Sequence, residues 1–113
     1  MSYTPVPDTP LASSLVAMTE ESLERCDLPD REIMVARIAA LAASGAPPIS
    51  YTLNAGAAAG SGLTLEDAQG ILVAVAPVIG TARTVAAAGA MTEGLGLALV
   101  LLEAAEDDDE DEG

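Results

Sequence analysis

Apolar positions recur along this chain at helical rather than strand spacing. Leu11, Leu15, Met18 and Leu23 form one stripe, and Ile33, Met34, Ile38 and Leu41 form a second. No segment alternates apolar and polar residues between hairpin signals. Punctuation divides the pattern. Thr9-Pro10 supplies a capping hydroxyl and a proline at the first helical position, which predicts a helix from Pro10 to about Cys26. Asp27-Leu28-Pro29-Asp30 opens a second helix, from Pro29 to about Ser44, closed by Gly45. Pro47-Pro48 starts a third, which runs through Ser50–Asn54 into Ala55–Ala59 and ends at Gly60-Ser61-Gly62. Thr64-Leu65-Glu66-Asp67 carries the hydroxyl cap and first-turn acids of a fourth, which ends at Pro77. Gly80-Thr81 begins a last long helix, open to interruption at Gly94 and Gly96 and reaching about Ala105. The pattern predicts an all-α bundle of five or six helices, with a flexible arm over residues 1–8, one domain over 9–105 and a disordered acidic tail over 106–113.

Composition adds an expectation of assembly. The chain has 113 residues, enough for one domain, and half are apolar, yet it has no Phe or Trp and alanine dominates. Burial contributes roughly 25 cal/mol per Å², so small side chains give a lone monomer a thin core. The last helix also offers Val85, Met91, Leu95, Leu97, Leu99, Val100, Leu101 and Leu102, more than one buried stripe can use. A homo-oligomer is expected.

Charge is concentrated at one end. Glu106–Glu112 (EDDDEDE) holds half of the net charge of −14. A like-charged run without apolar residues reads as a solvated tail, or alternatively as a lure for a basic partner or cations. Nucleic acid is excluded as a partner, because phosphate binding needs clustered Lys or Arg. Met1–Asp8 shows no basic region followed by an apolar one, so no secretory leader is expected. The longest apolar stretches, such as Ile71–Ala82, are broken well short of the roughly 20 residues of a membrane span. A lone cysteine suits a reducing interior, and the expected location is the cytoplasm.

Missing residue types narrow the chemistry further. There is no histidine or lysine, and Cys26 is the single thiol. Imidazole metal sites, Ser-His or Cys-His nucleophile pairs, Cys-X-X-Cys redox couples, Schiff bases and the phosphate-binding lysine loop are all excluded within one chain. No metal and no cofactor is expected. Carboxylates, four arginines, two tyrosines, hydroxyls, amides and backbone dipoles are what is left.

The order of pieces from Leu28 to about Ala90 carries a resemblance. A charged helix start leads into Ile38-Ala39-Ala40-Leu41-Ala42-Ala43-Ser44-Gly45. Then come Ala57-Ala58-Ala59-Gly60-Ser61-Gly62-Leu63-Thr64, Leu65-Glu66-Asp67-Ala68, and the turn Ala76-Pro77-Val78-Ile79-Gly80-Thr81-Ala82. This resembles the carboxymuconolactone decarboxylase family, which includes the alkyl hydroperoxide reductase D-like proteins. Those carry an IAALAALG-type helix, a G-L-T-x-E-E-I helix start and a Y-x-G-x-P-A turn. The resemblance implies an alkyl hydroperoxide reductase D-like bundle that closes into a trimer or a multiple of one. It also implies small carboxylated or lactone-like substrates.

The family's reactive positions are replaced here. Counting back from Gly62-Leu63-Thr64, its cysteine pair falls on Pro47 and Ser50, its histidine on Asn54 and its upstream glutamate on Val35, beside Met34. Thiol peroxidase activity is therefore not expected, and the family's decarboxylase mechanism lacks its proton carrier. Ser50, Tyr51 and Asn54 could still line the same pocket, with Asn54 one turn beyond Ser50 on the same face. Alternatively, Ser50 and Asn54 make structural bonds within their helix or at a subunit contact.

Among the arginines, Arg25 has Glu21 and Arg31 has Asp27 four residues earlier, as local partners. Arg37 and Arg83 have neutral residues at every helical neighbour position. They must reach water, a tertiary carboxylate such as Glu32, Glu66, Asp67 or Glu93, or a small anionic ligand. Cys26 reads as a packing residue, and Gly56 with Gly60 as a point of close helix approach. The candidate ligand-binding residues are thus Arg37, Ser50, Tyr51, Asn54 and Arg83. The functional expectation is a divergent, non-redox member of the resembled family that acts on or binds a small carboxylated or lactone-like molecule. The alternative is an oligomeric scaffold whose acidic tail recruits a partner.

Overall fold

A computed structural model describes the backbone of residues 9–112 and the side-chain surroundings of residues 9–96. Five helices follow one another: α1 (Pro10–Arg25), α2 (Asp30–Ser44), α3 (Pro48–Gly60), α4 (Leu65–Ile79) and α5 (Thr81–Glu112). No strand occurs among the described residues. The protein is all-α.

Helix ends lie where local chemistry puts them. The Thr9 hydroxyl accepts from the Ala12 N–H at 3.1 Å. Gly45 closes α2 in the left-handed conformation, φ 73°, which a side chain would resist; its N–H bonds back to Ala42 and Leu41. Thr64 and Asp67 cap α4 reciprocally, each side chain accepting from the other's N–H at 3.0 Å. Two ends differ from expectation. α4 continues past Pro77 to Ile79, because the proline ring removes the bond to the Val73 carbonyl one turn back and leaves the residues after it free to stay helical up to Gly80. α5 is one helix through Gly94 and Gly96. The acidic tail expected over 106–113 falls where the side chains lie outside the described residues. The side chains of Leu97, Leu99, Val100, Leu101 and Leu102 lie outside the described residues, as does the arm over 1–8.

α2, α3, α4 and α5 build the core. Met34, Ile38 and Ala42 from α2 meet Tyr51, Ala55 and Ala58 from α3, Ala68, Ile71 and Leu72 from α4, and Ala87, Met91 and Leu95 from α5. α3 and α5 form the most extensive pairing, and at Gly94 the two backbones come close. A Cβ at Gly94 would collide with the Pro48 carbonyl and lie 2.9 Å from Cβ of Tyr51. The Thr52 hydroxyl donates to the Gly94 carbonyl at 2.7 Å across this contact. Gly56 and Gly60, expected to mark close packing, are exposed and have nothing within 4 Å of an added Cβ.

α1 stands apart. It has no buried residue and no close backbone approach to the other helices. Leu11, Leu15, Met18 and Leu23, the predicted stripe, are 69%, 49%, 61% and 44% exposed in a single chain. Among the described residues no single helix is long and apolar enough to cross a membrane. α3 and α4 pass that test only as a pair, bent by 117°.

Candidate functional site

The four-helix core encloses a partly open cavity of about 170 Å³. Its walls come from every core helix: Ile38 of α2, Leu95 of α5, Ala55, Ala58 and Ala59 of α3, and Leu65 and Ala68 of α4. Short alanine side chains on α3 leave this space, since nothing on that face is long enough to fill it. Polar character is confined to Tyr51, Asn54 and Thr64. An apolar cavity near 150 Å³ is large enough for a six-membered ring.

Among the described residues Tyr51 is the most buried large side chain, 1% exposed, and its hydroxyl oxygen has no hydrogen-bond partner there. A buried hydroxyl left unpaired costs about 1–3 kcal/mol, so this one stands out in an otherwise satisfied core. Burial also raises the phenol above its usual titration range, so it stays protonated near neutral pH and serves as a donor. Asn54 uses its amide N–H on the Ser50 carbonyl at 2.8 Å. Of the two readings for this pair, the local bond is present, and Asn54 still lines the cavity.

The rim is held by a clasp between distant helices. Arg31 donates to the Gly62 carbonyl at 3.2 Å and to Oδ2 of Asp67 at 3.1 Å. This ties the start of α2 to the α3–α4 turn, whose Leu63 and Thr64 border the cavity. The Arg31 guanidinium and the Thr64 N–H together pull the Asp67 carboxyl down to about 2, so it is ionised at all ordinary pH values. Arg31 in turn is held above its normal value by Asp67. Asp27, the expected local partner of Arg31, precedes the first residue of α2 and therefore does not lie on that helix's face. The Glu21–Arg25 pair does form, at 2.8 Å and well exposed.

The five candidate ligand residues are not brought to one place. Tyr51 and Asn54 share the cavity. Half-buried Arg37 lies in a shallower groove beneath α1 that Asn54 also borders, and it donates to the Ser22 hydroxyl at 3.3 Å. Arg83 sits at the opposite end of the bundle and donates to the Ala43 carbonyl at 2.6 Å. A cation there answers the free carbonyls and negative dipole end of α2. Ser50 contributes its backbone carbonyl to Asn54. Neither arginine is paired with Glu32, Glu66, Asp67 or Glu93 among the described residues.

Sequence reasoning missed the walls and the clasp. Ile38, Ala58, Ala68 and Leu95 carry the same periodic signal as any core residue, so nothing distinguishes a cavity wall from filled core. Asp67 was legible as a capping acid, but its partner thirty-six residues away was not.

The fold and site define a five-helix bundle with an internal, mostly apolar cavity. No protein-family model matches the chain, and neither a curated protein nor a solved structure matches it.

Proposed function

We propose that this protein is a non-redox helical bundle that binds a small, uncharged, ring-sized molecule in the cavity between α2, α3, α4 and α5. The observation that carries the reading is the cavity itself: its volume, its aliphatic walls, and the placement of both unpaired arginines elsewhere. Of the two ligand types that the resemblance implies, this favours the lactone-like over the carboxylated one. Burying a carboxylate without a cation costs several kcal/mol, and the arginine at the rim, Arg31, is already bound to Asp67 at 3.1 Å. In this reading the chain is a divergent carboxymuconolactone decarboxylase-like protein, similar in helix order and without the family's reactive groups.

The test is an NMR titration of the isotope-labelled full chain with cyclohexane and with cyclohexanecarboxylate. Saturable shifts at Ile38, Ala58, Ala68 and Leu95 with the hydrocarbon, and none there with the acid, are expected. No response to cyclohexane refutes the cavity reading. Tighter binding of the acid that disappears in Arg37→Ala refutes the neutral-ligand reading and points to the α1 groove.

A second reading, compatible with the first, is self-association into a trimer or a multiple of one. It is favoured by the exposure of Leu53 (72%), Val73 (74%), Val78 (85%) and Val85 (66%), together with the uncovered face of α1. Sedimentation equilibrium at micromolar concentration should show an oligomer that Leu53→Glu or Val78→Glu dissociates; a monomer at that concentration refutes it.

A further inference from the structure

The cavity has a dry side and a wet side. Ile38, Ala58 and Ala68 are buried walls, whereas Ala59, Thr64 and Leu65 line the same space and are exposed. A residue that borders a cavity and also meets solvent marks where the cavity opens, so the mouth lies at the end of α3 and the start of α4. Leu63, Thr64 and Leu65 follow one another there, across the α3–α4 turn. Arg31 of α2 brackets this segment. A single nitrogen, Nη1, donates to the Gly62 carbonyl at 3.2 Å just before it and to Oδ2 of Asp67 at 3.1 Å just after it. We propose that Leu63–Leu65 is the entrance flap of the cavity and that Arg31 is its latch, so that release of this side chain limits how fast a guest enters and leaves. The inference rests on the cavity reading above and adds the route into the site.

The turn has a hinge and room to move. Gly62 holds φ at 89°, in the left-handed region, and an added Cβ there would have nothing within 4 Å. The Gly62 and Leu63 N–H groups bond to the Ala59 and Ala58 carbonyls, which anchors the α3 end of the flap. The latch ties the other end to α2, across the mouth. It is also weak enough to open. Both ionic partners reach water, so release strands no buried charge, and an exposed pair of this kind holds by a factor of a few rather than by decades. A lid held in this way sets rates of exchange without contributing contacts to the guest.

The experiment measures exchange of cyclohexane with the isotope-labelled full chain by NMR line-shape analysis, for the wild type, Arg31→Gln, Arg31→Lys and Arg25→Gln. The last is the control, since it removes an exposed arginine from its pair with Glu21 on α1, which contributes no wall to the cavity. Arg31→Gln should raise the association and dissociation rates together by about fivefold and leave Kd within about twofold, because the latch holds the free and the occupied site equally. Arg31→Lys keeps a cation that can reach one of the two oxygens and should fall between. A guest-free readout is hydrogen exchange at the Asp67 and Ala68 amides, whose acceptors both belong to Thr64. Exchange there should quicken in Arg31→Gln and stay unchanged in Arg25→Gln. If rates and amide exchange in both Arg31 variants equal those of the wild type, Arg31 is not a latch, although the cavity reading stands. A changed Kd with an unchanged association rate also refutes the latch, because it places Arg31 in the bound site instead. If cyclohexane does not bind the wild type, the cavity reading fails and the entrance with it.

Discussion

Gly94→Ala should destabilise this protein severely, although alanine is the better helix former. The added methyl would collide with the Pro48 carbonyl and meet Cβ of Tyr51 at 2.9 Å and the Pro48 carbonyl carbon at 3.1 Å. All three atoms are backbone or the root of a side chain, so no rotamer change relieves the clash and α3 must move away from α5. Overpacking of this kind costs about 1–3 kcal/mol, with the upper end appropriate to a rigid contact. Separation also lengthens the 2.7 Å bond from Thr52 to the Gly94 carbonyl, at about 1 kcal/mol. Alanine's helix propensity returns about 1 kcal/mol. The net expectation is a loss of about 3 kcal/mol, a large share of the 5–15 kcal/mol typical of a domain. Gly89→Ala is the matched control: same helix, exposed, and nothing within 4 Å of the new methyl. It should gain about 0.5–1 kcal/mol. Urea denaturation followed by far-UV circular dichroism, at one fixed protein concentration, reads both. Shifts of opposite sign are expected. Two stabilised variants, or two equal shifts, would refute the close α3–α5 approach.

Three further outcomes can be checked. The Asp67 carboxyl titrates lower in the folded chain than in the unfolded one, so its contribution is present above the ordinary carboxylate range and is lost as pH falls toward about 2. Asp67→Asn should flatten the acid limb of the stability–pH curve and loosen the α3–α4 turn, and an unchanged acid limb argues against the clasp. Hydroperoxide with an added reductant should show no turnover above buffer, since Cys26 is the single thiol and has no second cysteine to close an intramolecular disulfide; turnover lost in Cys26→Ser contradicts this. Glu106–Glu112 is a run of seven acids, and like charges close to a helix C-terminus oppose helix formation. Helical ellipticity should therefore rise on mild acidification and this rise should disappear on truncation after Ala105, while the urea midpoint at neutral pH stays within error; a lowered midpoint would show that the tail supports the fold.

The helices and their ends follow from local chemistry. Thr9, Gly45 and the Thr64–Asp67 box act within three or four residues, and such interactions are set before any helix meets another. The periodic apolar positions Met34, Ile38 and Met91 likewise announce a buried face wherever the helices cross. Contacts between distant helices follow from packing instead. Arg31 could not be assigned to Asp67, nor Arg83 to the end of α2, because those partners lie 36 and 40 residues away and are joined only by the packing of whole helices. The same holds for the glycines: Gly56 and Gly60 have the spacing of a close contact, but the crossing of α3 and α5 puts that contact at Gly94. The cavity is the furthest from the sequence. A run of alanines states that side chains are short, but whether neighbouring helices close over the space or leave room depends on their separation, and that separation is set here by Gly94 and the Arg31–Asp67 clasp.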